Sequence, residues 1–436
     1  MPDQSLPARR SVLTGAAALA AVGFVPGTAS AAQAPGKHRT RLTVLGTTDL
    51  HGNVFNWDYF KNAEFDNATH DDIGIAKAAA VIKAARAGLD RRQPVLTLDA
   101  GDTLQGTPLA YYYARVEPIT GGGRHPMANA MNLVGYDAAA LGNHEFNYGI
   151  DTLRTFESQL NFPLLGANVV DPATKRPVFA PYVIKTFKPQ HGPRLKVGIL
   201  GLTNPGIAIW DKTNVEGRME FPGLVEQAKK FVPELKRRGC DLVVVSAHSG
   251  ADTSSSYGDA LPYPENAASL VAEQVPGVDA ILVGHAHKEI AERFVTNATT
   301  GQQVLLCEPL YWGMRVAVLD LDVRLERGHW RLVAAHSQTL NSNAVPADPR
   351  VLRAVQRQHD TVVAYVNSPV GTSTTALSAA RAVVEDVPII DFVNFVQADA
   401  VKAGLTGADA ALPVLSIAAP FNRAASFPAG QVTVRD

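Results

Sequence analysis

Potential metal ligands follow five apolar segments of this 436-residue chain, in each case at the point where the segment ends. They are carboxylates, imidazoles and one amide, and five of the twelve histidines are among them. Nitrogen and oxygen donors without thiolate favour Zn, Mn, Fe, Co or Ni over a structural, cysteine-rich zinc site. In chain order the motifs are Asp49-Leu50-His51, Gly101-Asp102, Asn143-His144-Glu145, His248 and His285-Ala286-His287.

Each motif alone is a weak signal. Gly, Asn and Asp are common in turns, and a single histidine after a strand is more often a loop residue than a ligand. The ordered set of five is what predicts a metal centre. In an extended strand, residues i and i+2 point to the same side, so Asp49 and His51 are expected to converge on one ion, as are His285 and His287.

The segments that precede these motifs have the composition of buried strands, and segments with helical spacing alternate with them. This alternation predicts an α/β fold with the ligands at the carboxyl edge of a sheet, where α/β proteins bind ligands. The predicted strands are "LTVLGTT", "PVLTLDA", "YDAAALG", "CDLVVVSAH" and "VDAILVGHAH", and the predicted helices include "IGIAKAAAVIKAARAG" and "LVEQAKKFVPELKRRG".

The composition limits the kinds of binding partner that we expect. The chain is 46% hydrophobic and 19% charged, with a formal net charge of -1. Its length is enough for two domains. A near-neutral chain gives no electrostatic case for binding a nucleic-acid polymer or an anionic membrane.

The N-terminus has the layout of an export signal over residues 1–34. The twin arginines Arg9 and Arg10 precede an alanine-rich apolar segment and a small-residue stretch that ends near Ala31. This layout favours export by the twin-arginine route. A short membrane anchor is the alternative, but the apolar run is too short and too rich in alanine to span a bilayer. We therefore expect an extracytoplasmic protein without a stable membrane span.

The two cysteines, Cys240 and Cys307, border apolar runs. We expect both to be buried core residues, neither bridged nor bound to metal.

The ordered motif set resembles that of the calcineurin-like metallophosphoesterases. "TTDLHGN", "GDTLQGTPLA", "LGNHEFNYG", "AHSG" and "GHAH" further resemble the 2′,3′-cyclic-nucleotide 2′-phosphodiesterase/3′-nucleotidase branch of the 5′-nucleotidase family. The resemblance implies a four-layer α/β/β/α sandwich at residues 40–345 and a linker helix at 346–366. It further implies that residues 367–436 begin a C-terminal α/β substrate domain.

The resemblance also implies a role for each ligand. Asp49, His51 and His287 would bind one divalent ion, and Asp102 would bridge it to a second. Asn143, His248 and His285 would bind the second ion. His144 would be the catalytic histidine, which stabilises or protonates the leaving oxygen. The implied substrate is a nucleotide; the identity of the metals and the oligomeric state stay open.

Two positions separate this chain from the bacterial 5′-nucleotidases that it resembles. Those proteins have glutamine where this chain has His287, and aspartate where it has Asn147, three residues after the catalytic histidine. An amide can accept a hydrogen bond from His144 but cannot stabilise its imidazolium by charge. Both positions favour the cyclic-phosphodiesterase branch over a 5′-nucleotidase or UDP-sugar hydrolase.

The family's nucleoside pocket would lie beyond residue 436, so we expect a fragment or a truncated gene. "LPVLSIAAPF" and the final "GQVTV" are predicted strands, the last of them unpaired and prone to disorder or aggregation. We therefore expect turnover of small or generic esters with poor nucleotide affinity. A metal-binding remnant without useful turnover is the alternative from a different functional class.

Overall fold

The computed structural model describes residues 39–419 and 422–436, so the predicted export signal lies outside the described residues. Its strands are β1 Arg39–Thr47, β2 Val95–Asp99, β3 Ala138–Ala140, β4 Leu164–Leu165, β5 Tyr182–Phe187, β6 Leu195–Leu202, β7 Leu242–Ala247, β8 Ala280–Val283, β9 Glu289–Thr296, β10 Gln303–Pro309, β11 Arg315–Glu326, β12 His329–Asn341, β13 Pro369–Ser373, β14 Leu377–Ser378, β15 Ser426–Phe427 and β16 Gly430–Thr433.

The α-helices are α1 Ile75–Ala87, α2 Pro108–Tyr111, α3 Pro126–Val134, α4 Ile150–Gln159, α5 Ile207–Trp210, α6 Lys212–Val215, α7 Leu224–Arg237, α8 Ala268–Gln274, α9 Pro349–Val366 and α10 Pro388–Gly404. A π-helical turn, Tyr112–Val116, continues α2. Short 3-10 turns lie at Ile119–Gly121, Ser342–Ala344 and Gly407–Ala411.

Two mixed sheets form the centre of the described chain. One has the strand order β12-β11-β1-β2-β3-β4 and the other β5-β6-β7-β8-β10-β9. Strands β1, β2, β3 and β4 run parallel, as do β6, β7, β8 and β10. Parallel strands end at the same edge, so the motifs after β1, β2 and β3 share one edge, and those after β7 and β8 share another.

The sheets pack face to face with helices outside, which confirms the predicted α/β/β/α sandwich. The burial of both faces of β1 explains why its sequence is apolar at successive positions. Leu42 and Val44 pack between the sheets with Leu242 and Val244 of β7, whereas Leu45 points the other way, into the cluster that contains α1 and α3. A strand covered on both faces has no solvent-facing side and reads as an apolar run. Helices α7 and α8 cover the second sheet.

Helix α9, in the segment predicted as a linker, packs against this core. Its residues Val351, Val355, Val362 and Val366 are buried in the same cluster as α1 and α3. The domain limits at 40–345, 346–366 and 367–436 stay predictions.

Two expectations for the C-terminal residues are wrong. Residues 412–419 of the predicted strand "LPVLSIAAPF" form no regular element, and Leu415 and Ile417 are 91% and 95% exposed. A strand needs a neighbour to satisfy its backbone, and none lies beside this segment within the described residues. The last predicted strand is paired: β16 forms an antiparallel ladder with β13.

Cys240 and Cys307 are buried and free, as expected. Across the described residues, no helix combines the length and apolar character needed to cross a membrane.

Candidate metal centre

The predicted ligands meet where the two sheets adjoin at their carboxyl edges. The loops after β1 and β2 are joined by backbone hydrogen bonds from Asp49 N to Gly101 O and from His51 N to Asp102 O, both 2.8 Å. The loop after β8 joins them because His285 N donates to Asp49 Oδ2 at 3.0 Å. Ligands from separate sheets therefore share a hydrogen-bonded frame.

The backbone at five of the seven predicted ligands is left-handed. The φ angles are 52° at Asp49, 48° at His51, 62° at Asp102, 76° at His285 and 55° at His287. Non-glycine residues pay a conformational cost there, and such residues concentrate at functional sites. The paired ligands thus converge through left-handed turns after the strands have ended, and not through the alternation of an extended strand that the sequence suggested.

Asp49, His51 and His287 form the first of the predicted ligand groups. The Nε2 atoms of His51 and His287 lie 3.0 Å apart, and Asp49 Oδ1 lies 3.3 Å from His287 Nε2. Asp49 Oδ2 accepts from Thr48 Oγ1, but Oδ1 is buried without a hydrogen-bond partner among the described residues. An orphaned buried carboxylate oxygen beside two imidazole nitrogens fits a cation, because such an atom is otherwise costly.

Asp102, Asn143, His248 and His285 form the second group. His248 Nε2 lies 3.0 Å from both Asp102 Oδ2 and Asn143 Oδ1, and His285 Nδ1 lies 3.1 Å from Asn143 Oδ1. Asp102 Oδ2 also lies 3.8 Å from His51 Nε2 in the first group. Asp102 is therefore placed between the two groups, as a bridging ligand would be.

Hydrogen bonds orient the imidazoles. His51 and His248 each place Nδ1 2.8 Å from a backbone carbonyl oxygen, of Gln105 and Ala100 respectively. A carbonyl can only accept, so Nδ1 carries a proton and Nε2 is the ring nitrogen that faces the cluster. His285 is oriented the other way round, since its Nε2 lies 2.7 Å from the Glu265 carboxylate and its Nδ1 faces the cluster.

The negative charge buried in the cluster favours the binding of positive charge. Burial by itself would raise the pKa of Asp102, but His248, His144 and His51 hold that pKa well below its ordinary value. Burial opposes protonation of His248, yet Asp102 raises the pKa of this imidazole to about 10. Asp102 therefore stays ionised and attracts either protons on the imidazoles or a metal cation.

His144 stands beside this cluster, with Nε2 3.9 Å from Asp102 Oδ2. Its Nδ1 lies 2.5 Å from Asn147 Oδ1, so the contact expected between these residues is present. The amide nitrogen of Asn147 donates to both carboxylate oxygens of Asp211, at 2.9 and 3.1 Å. The sequence analysis did not find Asp211, which lies 64 residues away between α5 and α6.

Two buried glutamates organise the loops, a role that the sequence analysis did not assign. Glu145 accepts backbone N–H groups from Asp102 at 2.9 Å and Gly142 at 2.6 Å, while Glu265 holds His285. Glu145 is the last residue of the Asn143-His144-Glu145 motif, so the sequence carried a signal for it. Glu265 lies in the loop before α8, and no local pattern points to it.

Two of the predicted histidine ligands each stack against an aromatic side chain. Trp210 stacks on His285 with centroids 5.8 Å apart, and Tyr311 stacks on His287 at 4.7 Å. Tyr112 and Tyr113, in contrast, serve packing, because Tyr113 is buried in the core and Tyr112 contacts Tyr365 of α9.

An α/β/β/α sandwich that brings carboxylates, imidazoles and an amide together where the two sheets adjoin is the arrangement expected of a metal-dependent phosphoric ester hydrolase. The chain matches the Calcineurin-like phosphoesterase family over residues 42–289, and it belongs to this family.

Relatives of known name are similar over most of the chain. A 2′,3′-cyclic-nucleotide 2′-phosphodiesterase/3′-nucleotidase of Salmonella typhimurium is 35% identical, covering 91% of this chain and 63% of the relative. The protein of the same name from Haemophilus influenzae is 34% identical, covering 89% of this chain and 60% of the relative. The chain thus spans about three-fifths of the length of these relatives.

Solved structures agree in fold. The calcineurin-like phosphoesterase YfkN of Bacillus subtilis is 30% identical with a TM-score of 0.65, covering 76% of this chain and 100% of that one. A 5′-nucleotidase precursor of Thermus thermophilus is 25% identical with a TM-score of 0.61, covering 90% of this chain and 72% of that one.

Proposed function

We propose that this chain hydrolyses phosphate esters of nucleotides, acting as a 2′,3′-cyclic-nucleotide 2′-phosphodiesterase with 3′-nucleotidase activity. The observation that carries the proposal is the cluster of Asp and His side chains where the two sheets adjoin, in a chain 33–35% identical to three relatives of that name.

The residues present fit two divalent ions. Asp49, with its partnerless Oδ1, would hold one ion together with His51 and His287, and Asn143, His248 and His285 would hold the other, with Asp102 between them. Oxygen and imidazole donors suit Mn, Zn, Co, Fe or Ni. When bound, such ions polarise the phosphoryl group and make the attacking water acidic enough to react at neutral pH.

The chain's own residues would then handle the leaving group. With Nδ1–H directed to Asn147, the Nε2 atom of His144 is the one that faces the cluster. Water attacks phosphorus and the bond from phosphorus to the ribose 2′ oxygen breaks. His144, with a proton on both ring nitrogens, gives its Nε2 proton to that oxygen and is left as the Nδ1–H tautomer. The proton that the attacking water releases restores the protonated ring. The product is a 3′-phosphate, which the same centre would hydrolyse in a second round.

Two residues favour this activity over a 5′-nucleotidase. His287, in place of glutamine, lies within 3.3 Å of Asp49 Oδ1, and Asn147, in place of aspartate, contacts His144. Both match the cyclic-phosphodiesterase form of the motifs and support the proposal at the positions where the two branches differ.

The test is product release from 2′,3′-cyclic AMP, 3′-AMP, 5′-AMP and bis(p-nitrophenyl) phosphate by the chain loaded with Mn²⁺ or Co²⁺. We expect turnover of the first two nucleotides with 5′-AMP nearly untouched. Asp102→Ala should abolish turnover and lower metal content, whereas Asp322→Asn, a change at a surface ion pair with Arg41, should do neither. Preference for 5′-AMP would contradict the assigned branch, and turnover of no ester would support a metal-binding remnant.

We further propose export by the twin-arginine route, on the strength of Arg9 and Arg10. A reporter fused after residue 36 should be exported, and replacing both arginines by lysine should retain it in the cytoplasm. Export that is insensitive to this replacement would contradict the route.

A further inference from the structure

Asn147 lies between an imidazole and a carboxylate. On one side its Oδ1 contacts His144 Nδ1 at 2.5 Å, and on the other its Nδ2 donates to both oxygens of Asp211. The oxygen and nitrogen of an amide differ little in shape, so its neighbours decide which end faces which partner. Burial raises the pKa of Asp211 above its ordinary value, and the hydrogen bond from Asn147 opposes that rise. In its ionised form the carboxylate has only acceptors, and it therefore turns the NH₂ group of Asn147 toward itself.

This orientation has a consequence at His144. With its NH₂ group turned to Asp211, Asn147 presents a carbonyl oxygen to the imidazole, which can only accept. Nδ1 of His144 must then carry a proton, and Nε2 is left to face Asp102 and the cluster. If Asn147 were reversed, its NH₂ group would donate to Nδ1 and favour the opposite tautomer.

Asp211 is built into the fold at this place. Its side chain is buried, and it lies between α5 and α6, in a loop that follows β6 of the second sheet. Asn147 follows β3 of the first sheet. Asn214 of α6 donates to the carbonyl oxygen of Phe146 at 3.0 Å, which ties the two loops together beside the pair.

We propose that Asp211 is a positioning residue for the reaction. Through Asn147 it sets the tautomer and orientation of His144, and it supplies the carboxylate charge that an amide at 147 lacks. The carboxylate lies one hydrogen bond further from the imidazole than an aspartate at 147 would. The inference rests on the proposed role of His144.

The test exchanges the two side chains. Asp211→Asn removes the charge and allows the new amide to donate to Asn147 and reverse it. Asn147→Asp places two carboxylates side by side, which is unfavourable for both. The double variant Asn147→Asp/Asp211→Asn restores one carboxylate and one amide in the reverse order, with the carboxylate now against His144.

The first readout is kcat for 3′-AMP. Each single variant is expected to lose about 10- to 100-fold in kcat, the usual cost of removing a group that orients a ligand or catalyst. KM and metal content should change little, and the double variant should recover to within about threefold of the parent. Hydrolysis of a p-nitrophenyl ester, whose leaving group needs no proton, should be nearly unaffected throughout.

The second readout does not need turnover. In histidine-¹⁵N-labelled protein, the His144 signals, assigned with His144→Gln, should show the Nδ1–H tautomer in the parent and the double variant, and the Nε2–H tautomer in Asp211→Asn. Full kcat in Asp211→Asn, an unchanged tautomer there, or a double variant no better than the product of the singles would overturn the proposal. If no nucleotide is turned over, the proposed function fails, and the tautomer alone still decides this inference.

Discussion

The carboxylate of Glu145 accepts the backbone N–H of Asp102 at 2.9 Å, so a side chain from the loop after β3 anchors the backbone of the loop after β2. The other oxygen of Glu145 accepts the backbone N–H of Thr103 at 2.5 Å. Asp102 has a left-handed backbone, with φ at 62°. A buried acceptor with several backbone donors is one way to maintain such a conformation.

Glu145→Gln should weaken both the fold and the centre. The amide would turn its NH₂ group toward backbone donors and lose at least one hydrogen bond. We expect the free energy of unfolding to fall by about 1–3 kcal/mol, and Mn²⁺ affinity to fall by about 10- to 100-fold. Urea unfolding and calorimetric titration measure the two effects, with the exposed Glu216→Gln as a matched control. Unchanged values for both would show that Glu145 does not support the Asp102 loop.

Asp49→Asn tests the orphaned oxygen. An asparagine can keep its oxygen toward Thr48 Oγ1 and His285 N, but it then presents NH₂ groups where Asp49 Oδ1 has no partner. The NH₂ group would repel a cation, so the ion should be lost only from the first ligand group, which consists of Asp49, His51 and His287. We expect the metal content, measured after gel filtration by elemental analysis, to fall from two ions per chain to one. Retention of both ions would contradict the assignment of Asp49 as a ligand.

Gly142→Ala should impair the metal centre through a steric clash. A Cβ at this position would collide with the carboxylate and backbone nitrogen of Asp102. A displacement of about 1 Å at a catalytic group costs roughly 100-fold in rate, so we expect at least that loss in kcat/KM. Gly123→Ala is the control, because a Cβ there meets nothing within 4 Å. Similar activity in both variants would mean that the Asp102 loop tolerates displacement.

His125 should make the protein sensitive to acid. This buried imidazole caps α3 by accepting the Met127 N–H at 3.2 Å, and burial lowers its pKa to about 3. The unfolded chain, with a histidine pKa near 6.5, binds the proton first as the pH falls. The contribution of His125 to the free energy of unfolding is therefore fully present above about pH 6.5. It is lost progressively toward pH 3, at up to about 1.4 kcal/mol per pH unit.

Urea unfolding of the metal-free protein at pH 7, 6 and 5 checks this expectation. His125→Asn keeps a capping acceptor but does not titrate, so its stability should fall less steeply between pH 7 and 5 than that of the parent. Equal slopes in the two proteins would assign the acid sensitivity to other groups.

Much of the site could be predicted because its ligands are local features of the chain. Each motif closely follows a strand, and the parallel strands of one sheet end at a common edge, so Asp49 and Asp102 were expected to meet. His285 follows a strand of the other sheet, and the packing of the two sheets brings it to Asp49. The reason for the convergence was only partly foreseen. A left-handed turn at Asp49 depends on bonds to Gly101 O and to the loop after β8, which no local pattern encodes.

The C-terminal residues were predicted less well. An apolar β-like composition near Leu415 suggested a strand, but composition alone cannot supply the neighbour that a strand requires. The pairing of β16 with β13 joins segments nearly sixty residues apart, and register of that kind depends on the packing of the intervening chain.

The sequence by itself determined the kinds of donor, their order along the chain and the alternating strands and helices that carry them, because these follow from strand periodicity and from what ends each strand. The four-layer sandwich was expected only from the resemblance to a known family. Only the tertiary structure decided which groups stand behind those donors. Asp211 reaches Asn147 across 64 residues, and Glu265 reaches His285 across 20, because loops from different strands pack together at one edge. Such contacts depend on the closed fold, and side-chain type at either position alone does not reveal them.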